Sequence, residues 1–193
     1  MTTRLIIGIS GASGVIYGVR LLEMLQPTPV ETHLVMTRSA QITLAYETDY
    51  KVAAVQALAD ASYSPDDIAA AISSGSFRTA GMVVAPCSMR SLAEIAYGMT
   101  THLLTRAADV VLKERRRLVL LPRETPLHLG HLRAMTAATE AGAIIAPPMP
   151  AFYAKPESVA DLVDYTCARA LDLFDGLSLG EIDLPAVNRW KGG

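Results

Sequence analysis

The sequence is poor in cysteine, in net charge and in long hydrophobic runs. Its two cysteines, Cys87 and Cys167, cannot form a disulfide framework or a zinc site unaided, so both are expected to be reduced thiols. The formal net charge of -2 excludes the basic surface with which proteins bind nucleic acid through its phosphates. The longest uncharged apolar stretch, 141–154, contains three prolines and is too short to span a bilayer. The residues after Arg4 lack the pattern of a secretory signal, so the protein is expected to be soluble and cytoplasmic.

The apolar residues of the chain predict its fold. Internal repeats and linker-like composition breaks are absent, so 1–193 is predicted to be a single domain. Strands are predicted at 5–10, 32–36, 82–85, 118–121 and 143–146, and helices at about 15–25, 88–97, 103–115, 131–140 and 158–173. The strand runs lack polar alternation, which is typical of a parallel sheet covered on both faces. The expected fold is α/β, a doubly wound, mostly parallel sheet in a flavodoxin-like or Rossmann-like three-layer sandwich. The Ala-rich segment 52–76 is predicted to be irregular or partly helical.

Two segments that follow predicted strands are candidates for ligand binding, because such folds bind ligands at the carboxyl ends of their strands. Residues 8–14, Gly-Ile-Ser-Gly-Ala-Ser-Gly, bring small side chains and free N–H groups to a helix N-terminus, which suits an anion or the polar edge of a cofactor ring. The alternative is a tight turn that needs glycine only for its dihedral angles. Residues 86–91, Pro-Cys-Ser-Met-Arg-Ser, open a second helix, where Ser88 could serve only as the N-cap. Cys87 is interpreted as a buried apolar residue, since no histidine is positioned to activate it.

Charged residues on one predicted helix suggest a phosphate site. Arg106 and Lys113 are seven residues apart, so two helical turns place both cations on one face. The alternative is that Asp109 ties both into surface salt bridges. The residues that follow, 114–117, are predicted to be a solvated helix end.

The segment after the strand at 118–121 contains a further cation and a carboxylate. Arg123 and Glu124 are adjacent there and could serve as anion binder and proton carrier. Further on, His128 and His131 have the i, i+3 spacing of helical metal ligands, but Gly130 makes a regular helix doubtful. No metal site is therefore expected.

Eight collinear segments resemble the UbiX-type flavin prenyltransferases, once described as phenylacrylic acid or 3-octaprenyl-4-hydroxybenzoate decarboxylases. The segments are Gly-Ala-Ser-Gly at 11–14, Glu-Thr-Asp at 47–49, Ser-Ser-Gly-Ser-Phe at 73–77, Pro-Cys-Ser at 86–88, Arg-Ala-Ala-Asp-Val at 106–110, Lys-Glu-Arg-Arg at 113–116, Pro-Arg-Glu-Thr-Pro at 122–126 and Pro-Ala-Phe-Tyr at 150–153. One such segment would be weak evidence, but eight in the same order and spacing are specific. The likeness extends from Leu5 to Trp190.

The resemblance implies a function as well as a fold. It implies a homododecamer that binds FMN and dimethylallyl phosphate where subunits meet. The implied reaction joins the dimethylallyl group to N5 and C6 of reduced FMN and releases phosphate, and the prenylated flavin then serves a UbiD-type decarboxylase. No metal is implied, and the DDxxD motif of metal-dependent prenyltransferases is missing, since Asp-Asp at 66–67 is followed by Ile-Ala-Ala.

The resemblance also assigns residues to the site. FMN contacts are expected from Gly11, Ala12, Ser13, Thr37, Ser88, Met89, Arg90, Ser91 and Arg123, and prenyl phosphate contacts from Lys113, Arg123, Tyr153 and Arg169. The residues expected to take part in catalysis are Ser13, Glu47, Arg106, Lys113, Glu124 and Tyr153, with Glu47 as the natural base. Two departures are visible, Arg117 where a proline is common and the lack of a tryptophan in 52–76 that some members use.

Two other functions compete with this one. The first keeps FMN but decarboxylates cysteine-ended substrates, as related flavoproteins do with a helix histidine and an Asn-containing loop. Here that loop, 86–89, is Pro-Cys-Ser-Met. The second is a subunit that only carries FMN to a partner.

Overall fold

Six parallel strands form the centre of the protein in a computed structural model that describes residues 3–174. The strands are β1 (Arg4–Ile9), β2 (Glu31–Met36), β3 (Ala61–Tyr63), β4 (Gly81–Cys87), β5 (Arg117–Pro122) and β6 (Ala143–Ile145). Their order in the sheet is β3-β2-β1-β4-β5-β6, and every neighbouring pair is parallel. The chain therefore winds outward in opposite directions from the adjacent strands β1 and β4. This confirms the predicted doubly wound sheet and creates a crevice at their carboxyl ends.

Helices cover both faces of the sheet and complete three layers. They are α1 (Ile16–Leu25), α2 (Arg38–Glu47), α3 (Val52–Gln56), α4 (Met89–Ala96), α5 (Leu103–Lys113), α6 (Leu129–Glu140) and α7 (Val159–Asp172). Alternate residues of β1 enter opposite cores: Ile7 packs with α1 and α7, whereas Ile6 packs with α4 and α5. Helix α5 buries Leu104, Ala108 and Val111, whose spacing places them on one apolar stripe.

The structure corrects the predicted elements at three places. Segment 52–76 does contain the short helix α3, but it also contributes the edge strand β3, which three residues were too few to reveal. Helix α2 was missed because it buries only Ala40 and Leu44 and so has a weak apolar pattern. Helix α6 begins at Leu129 and includes Gly130, because Nδ1 of His128 accepts the N–H groups of Gly130 and His131 (3.0 and 3.3 Å).

Within residues 3–174, no helix combines the length and the apolar character needed to cross a bilayer. The part of the family likeness that runs on to Trp190 lies outside the described residues.

Candidate active site

Ser10 joins the two loops at the carboxyl ends of β1 and β4. Its side chain is fully buried, donates to the carbonyl of Pro86 (3.0 Å) and accepts the N–H of Ser88 (2.7 Å). The backbone N–H of Ser10 also donates to Pro86 (3.2 Å). The glycine-rich loop and the start of α4 are therefore one hydrogen-bonded unit. Sequence reasoning missed Ser10, although a lone hydroxyl at the end of an apolar strand was a signal.

The glycine-rich loop needs its glycines for both close approach and backbone conformation. A Cβ on Gly11 would lie 2.3 Å from Oγ of Ser39, so only glycine lets β1 continue past the start of α2. Gly14 has a φ of +97°, which favours glycine. The dihedral requirement of the tight-turn alternative is thus met at Gly14, whereas Gly11 is needed for close approach. It does not exclude a ligand, since Ala12 and Ser13 remain partly accessible.

Glu47, the last residue of α2, reaches across to this loop. Its carboxylate accepts the N–H groups of Gly14 (2.8 Å) and Val15 (3.3 Å). Helix α1 has no side-chain cap of its own at Val15, so Glu47 stabilises its positive end. These two amides are therefore occupied by a protein carboxylate, and the same contact holds the Glu47 side chain beside Ser13.

Hydroxyl groups begin the two helices that point at the crevice. Thr37 caps α2 by accepting the N–H of Ala40 (3.1 Å), and Ser88 caps α4 by accepting the N–H of Ser91 (3.2 Å). Ser88 is therefore an N-cap, as the sequence suggested, and this role does not exclude a ligand contact. Oγ of Ser88 also donates to the hydroxyl of Ser91 (3.1 Å). Both helix dipoles present their positive ends at one edge of the sheet, which fits the anionic and polar groups of a flavin nucleotide.

Other residues of the second loop divide into buried and exposed groups. Cys87 is fully buried, and burial raises the pKa of its thiol to about 12, so the interpretation as an apolar residue is confirmed. Met89 is partly buried as the first residue of α4. Arg90 is exposed and pairs with the buried carboxylate of Glu94 (2.9 Å).

The carboxyl end of β5 brings Arg123 and Glu124 to the same crevice. The N–H of Arg123 donates to the carbonyl of Cys87 (3.3 Å), which places Arg123 directly beside the second loop. Burial raises the pKa of the Tyr17 phenol, and the nearby positive charge of Arg123 lowers it in part. Glu124 is exposed and accepts the N–H of Thr125 (2.9 Å).

Tyr153 and Arg169 lie along the same edge, at the ends of β5 and β6. Arg169 lines a pocket with Leu121, Ala146, Pro147, Met149, Tyr165, Thr166, Ala170 and Leu173. The hydroxyl of Tyr153 is hydrogen-bonded to that of Tyr165, and the two rings meet edge to face with centroids 5.9 Å apart. Sequence reasoning missed Tyr165, since a tyrosine on an amphipathic helix carries no distinguishing pattern.

Arg106 and Lys113 do not join this group within one chain. Arg106 donates to Asp109 (2.9 Å) and to the carbonyl of Ser73 (3.3 Å), whereas Lys113 pairs with Glu114. The predicted salt bridge to Asp109 is therefore present for Arg106, whereas Lys113 forms its surface salt bridge with Glu114 instead.

The position of Lys113 in the fold explains the separation. Lys113 precedes the first residue of β5, and Arg123 directly follows the last. A strand of this length spans roughly 17 Å, so the two residues lie near opposite ends of β5.

The basic segment 114–117 is not simply a solvated helix end. Arg116 donates to the carbonyls of Phe77 (2.8 Å) and Gly75 (2.7 Å). A Cβ on Gly75 would lie 2.2 Å from Oε1 of Glu114, so segment 73–77 packs tightly against this turn. The resemblance had marked 73–77, and these contacts explain its small residues.

The described residues, 3–174, contain no group of three or more His, Cys, Asp or Glu side chains able to hold a metal ion. His128 and His131 stack with ring centroids 3.5 Å apart, and His128 uses Nδ1 to cap α6.

The family model described as Flavoprotein matches residues 1–171, which places the chain in the class of flavoproteins with this doubly wound fold. The chain is 60% identical over 190 residues to flavin prenyltransferase UbiX of Escherichia coli (strain K12), with 98% of both chains covered. The chain belongs to the UbiX-type flavin prenyltransferase family, and the resemblance seen in the sequence is confirmed.

Solved structures agree with this assignment. A dodecameric FMN-dependent UbiX-like decarboxylase from Escherichia coli O157:H7 superposes with a TM-score of 0.93 at 52% identity, covering 98% of this chain and 100% of that one. AnUbiX (PadA1) in complex with FMN and dimethylallyl pyrophosphate has a TM-score of 0.92 at 50% identity, with both chains covered completely. The FMN-dependent cysteine decarboxylase TvaF is only 20% identical (TM-score 0.63, 87% of this chain and 99% of that one), so it shares the fold alone. The decarboxylase alternative is therefore not favoured.

Proposed function

We propose that this protein transfers the dimethylallyl group of dimethylallyl phosphate to N5 and C6 of reduced FMN, releasing phosphate. One observation carries the proposal above the others. The loops to which the resemblance assigns FMN contacts are joined into one unit by Ser10 and lie at the carboxyl ends of β1 and β4. This is where a doubly wound sheet binds its ligand.

FMN is held in this proposal by small residues and helix N-termini. Gly11, Ala12 and Ser13 allow the flavin to approach the backbone of the loop, and Thr37 and Ser88 stand at the positive ends of α2 and α4. Met89, Arg90, Ser91 and Arg123 complete the set of contacts that the resemblance assigns to FMN. When bound, reduced FMN supplies the nucleophilic nitrogen and the ring carbon that take up the prenyl group.

A cationic site that needs no metal binds the phosphate group as it leaves. Arg123, Arg169 and the hydroxyl of Tyr153 lie at one edge of the sheet and can stabilise charge as the carbon–oxygen bond breaks. Lys113 is too far from Arg123 in the same chain, so its contact comes from a second copy. Arg106, on the same helix as Lys113, is assigned by the resemblance to the same polar network. This arrangement supports a homo-oligomer, and the relative from Escherichia coli O157:H7 favours a dodecamer.

Glu47 is the proposed base that removes the C6 proton from the flavin ring, a loss balanced by the proton that the prenyl double bond takes up when it bonds to C6. Its contact with the amides of Gly14 and Val15 holds the carboxylate beside the loop, and its exposed position leaves a path for the proton. Ser13 and Glu124 are proposed to assist proton transfer at the flavin and at the departing phosphate.

The product is proposed to serve a UbiD-type decarboxylase in the cytoplasm, with the whole chain acting as one domain. Two free, buried cysteines support a reducing compartment.

The deciding experiment is an anaerobic incubation of the protein with reduced FMN and dimethylallyl phosphate, after which the mass of the flavin is measured by mass spectrometry. A flavin heavier by one prenyl group supports the transferase, and FMN returned unchanged would point to a carrier. A parallel reaction with dimethylallyl pyrophosphate identifies the preferred leaving group. A cysteine-ended peptide tests for decarboxylation. Turnover is expected to persist in EDTA, whereas loss of activity that magnesium restores would contradict the cationic phosphate site.

A further inference from the structure

Tyr165 links two residues of the proposed phosphate site. Its hydroxyl is hydrogen-bonded to the hydroxyl of Tyr153, and the edge-to-face packing of the rings (88° between planes) fixes the approach. Tyr165 also precedes Arg169 by four residues on α7, so one helical turn places both on the same face. Both side chains line the pocket at the ends of β5 and β6.

The direction of this hydrogen bond determines what Tyr153 can do. A phenol carries one proton and two acceptor lone pairs, so only one of the two tyrosines can donate in this contact. The hydrogen bond with Tyr153, together with burial, raises the pKa of Tyr165, which therefore keeps its proton. If Tyr165 donates, Tyr153 accepts and keeps its own proton for another acceptor. A dianionic phosphate can only accept hydrogen bonds, so it favours the arrangement in which Tyr165 donates to Tyr153 and Tyr153 donates to the phosphate.

Contacts with α1 fix the position of helix α7, and with it the position of Tyr165. Asp164, next to Tyr165, accepts two hydrogen bonds from the guanidinium of Arg20 on α1 (2.6 and 3.1 Å). On the next turn, the thiol of Cys167 is buried and donates to the carbonyl of Tyr17 (3.4 Å). Tyr165 is thereby fixed relative to the helix that begins at the flavin loop.

We propose that Tyr165 is a positioning residue of the phosphate site, donating to Tyr153 so that the Tyr153 hydroxyl is turned toward the phosphate of the prenyl substrate. This inference rests on the proposed function. Hydrogen bonds in a chain polarise one another, so the donation from Tyr165 also makes Tyr153 a better donor to the phosphate. Arg169 adds its charge from the adjacent turn of the same helix.

A double-mutant cycle with Tyr153→Phe and Tyr165→Phe tests the proposal. Tyr165→Phe keeps the ring packing and removes only the hydroxyl, and it is expected to raise the KM for dimethylallyl phosphate about tenfold, with a smaller change in kcat. The affinity for FMN should be unchanged. Because Tyr165 acts through Tyr153, the double variant should be no worse than Tyr153→Phe alone.

The exposed Tyr97→Phe variant serves as the matched control and should behave as wild type. If the effects of the two substitutions on KM add in full, the two hydroxyls act independently and the proposal is wrong. If Tyr165→Phe loses FMN binding or thermal stability, the role of Tyr165 is structural and the proposal is also wrong. The same double-mutant cycle can be measured on the Kd for inorganic phosphate, which reports binding alone. That readout needs no turnover, so it distinguishes a failure of this proposal from a failure of the proposed function.

Discussion

The carboxylate of Glu47 lies 2.8 Å from the backbone nitrogen of Gly14, although 33 residues separate them in the chain. The contact joins the end of α2 to the loop that is proposed to hold FMN. Glu47 therefore has two tasks that substitutions can separate. It supports the loop as an acceptor, and it is proposed to remove a proton as a base.

Glu47→Gln should slow turnover by orders of magnitude while leaving the loop intact. The amide oxygen can still accept an N–H, but it cannot take up the ring proton, and loss of a general base costs about 10²–10⁴ in rate. FMN affinity should remain within about twofold of wild type in a fluorescence titration, a margin set by the retained acceptor. Glu47→Ala removes both tasks, so it should weaken FMN binding as well. Full activity of the Gln variant would exclude Glu47 as the base.

Ser10→Ala should weaken the link between the two loops of the site, leaving only the backbone hydrogen bond from Ser10 to Pro86. The N–H of Ser88 would lose its acceptor, and an unsatisfied group of this kind costs about 1–3 kcal/mol. We expect a lower free energy of unfolding in urea and weaker FMN binding in the same variant. Ser62→Ala, at an exposed position on β3, is the matched control and should change neither. Unchanged FMN affinity in Ser10→Ala would show that the loops hold their positions without it.

The sequence was sufficient to predict those elements that are marked by apolar runs or by glycines. The strands β1, β2, β4, β5 and β6 and the loop 8–14 follow from local patterns, because a buried parallel strand requires a continuous apolar run. The pairing of Glu47 with Gly14 could not be predicted, since it depends on how α2 is placed against α1. The separation of Lys113 from Arg123 likewise follows from the topology, because the two residues lie at opposite ends of β5.

His33 should make the stability of the protein depend on pH. Burial lowers the pKa of this histidine on β2, and the charge of Glu31 opposes the shift only in part. The folded protein therefore keeps His33 neutral to a lower pH than the unfolded chain does, with Nδ1 beside Tyr63 (2.9 Å from the phenol oxygen). Once unfolded, the side chain takes up a proton below a pH of about 6.5. Stability should be complete above that pH and fall as the pH drops below it, since the unfolded state then binds more protons.

Urea unfolding at several pH values between about 7.5 and 5.5, on either side of the ordinary histidine pKa, measures this effect. His33→Gln is expected to reduce the loss of stability on acidification, whatever its effect at neutral pH. An identical pH dependence in the two proteins would contradict the assignment.

Arg20→Lys should loosen the helix that carries Tyr165 and Arg169. The guanidinium of Arg20 binds Asp164 through two nitrogens and Glu23 through a third (3.0 Å), a geometry that an ammonium cannot reproduce. We expect a loss of about 1 kcal/mol in unfolding free energy, the upper range for partly exposed ion pairs. The KM for dimethylallyl phosphate should rise while FMN affinity is retained. A rise in the Kd for FMN without any change in KM would show that Arg20 supports the flavin loop instead.

Mixing two inactive variants should restore activity if the phosphate site is shared between copies. Lys113 and Arg169 lie at opposite ends of the sheet, so a site that uses both must take each from a different chain. Lys113→Ala and Arg169→Ala should each lose turnover alone, because each lacks one cation of the phosphate site. After dissociation and reassembly at equal amounts, about a quarter of the sites between copies should have an intact Lys113 from one copy and an intact Arg169 from the other. Recovery near that fraction of the wild-type rate is expected, with each variant reassembled alone as the control. If activity stays at the level of the separate variants, both residues act within one chain or Lys113 lies outside the site.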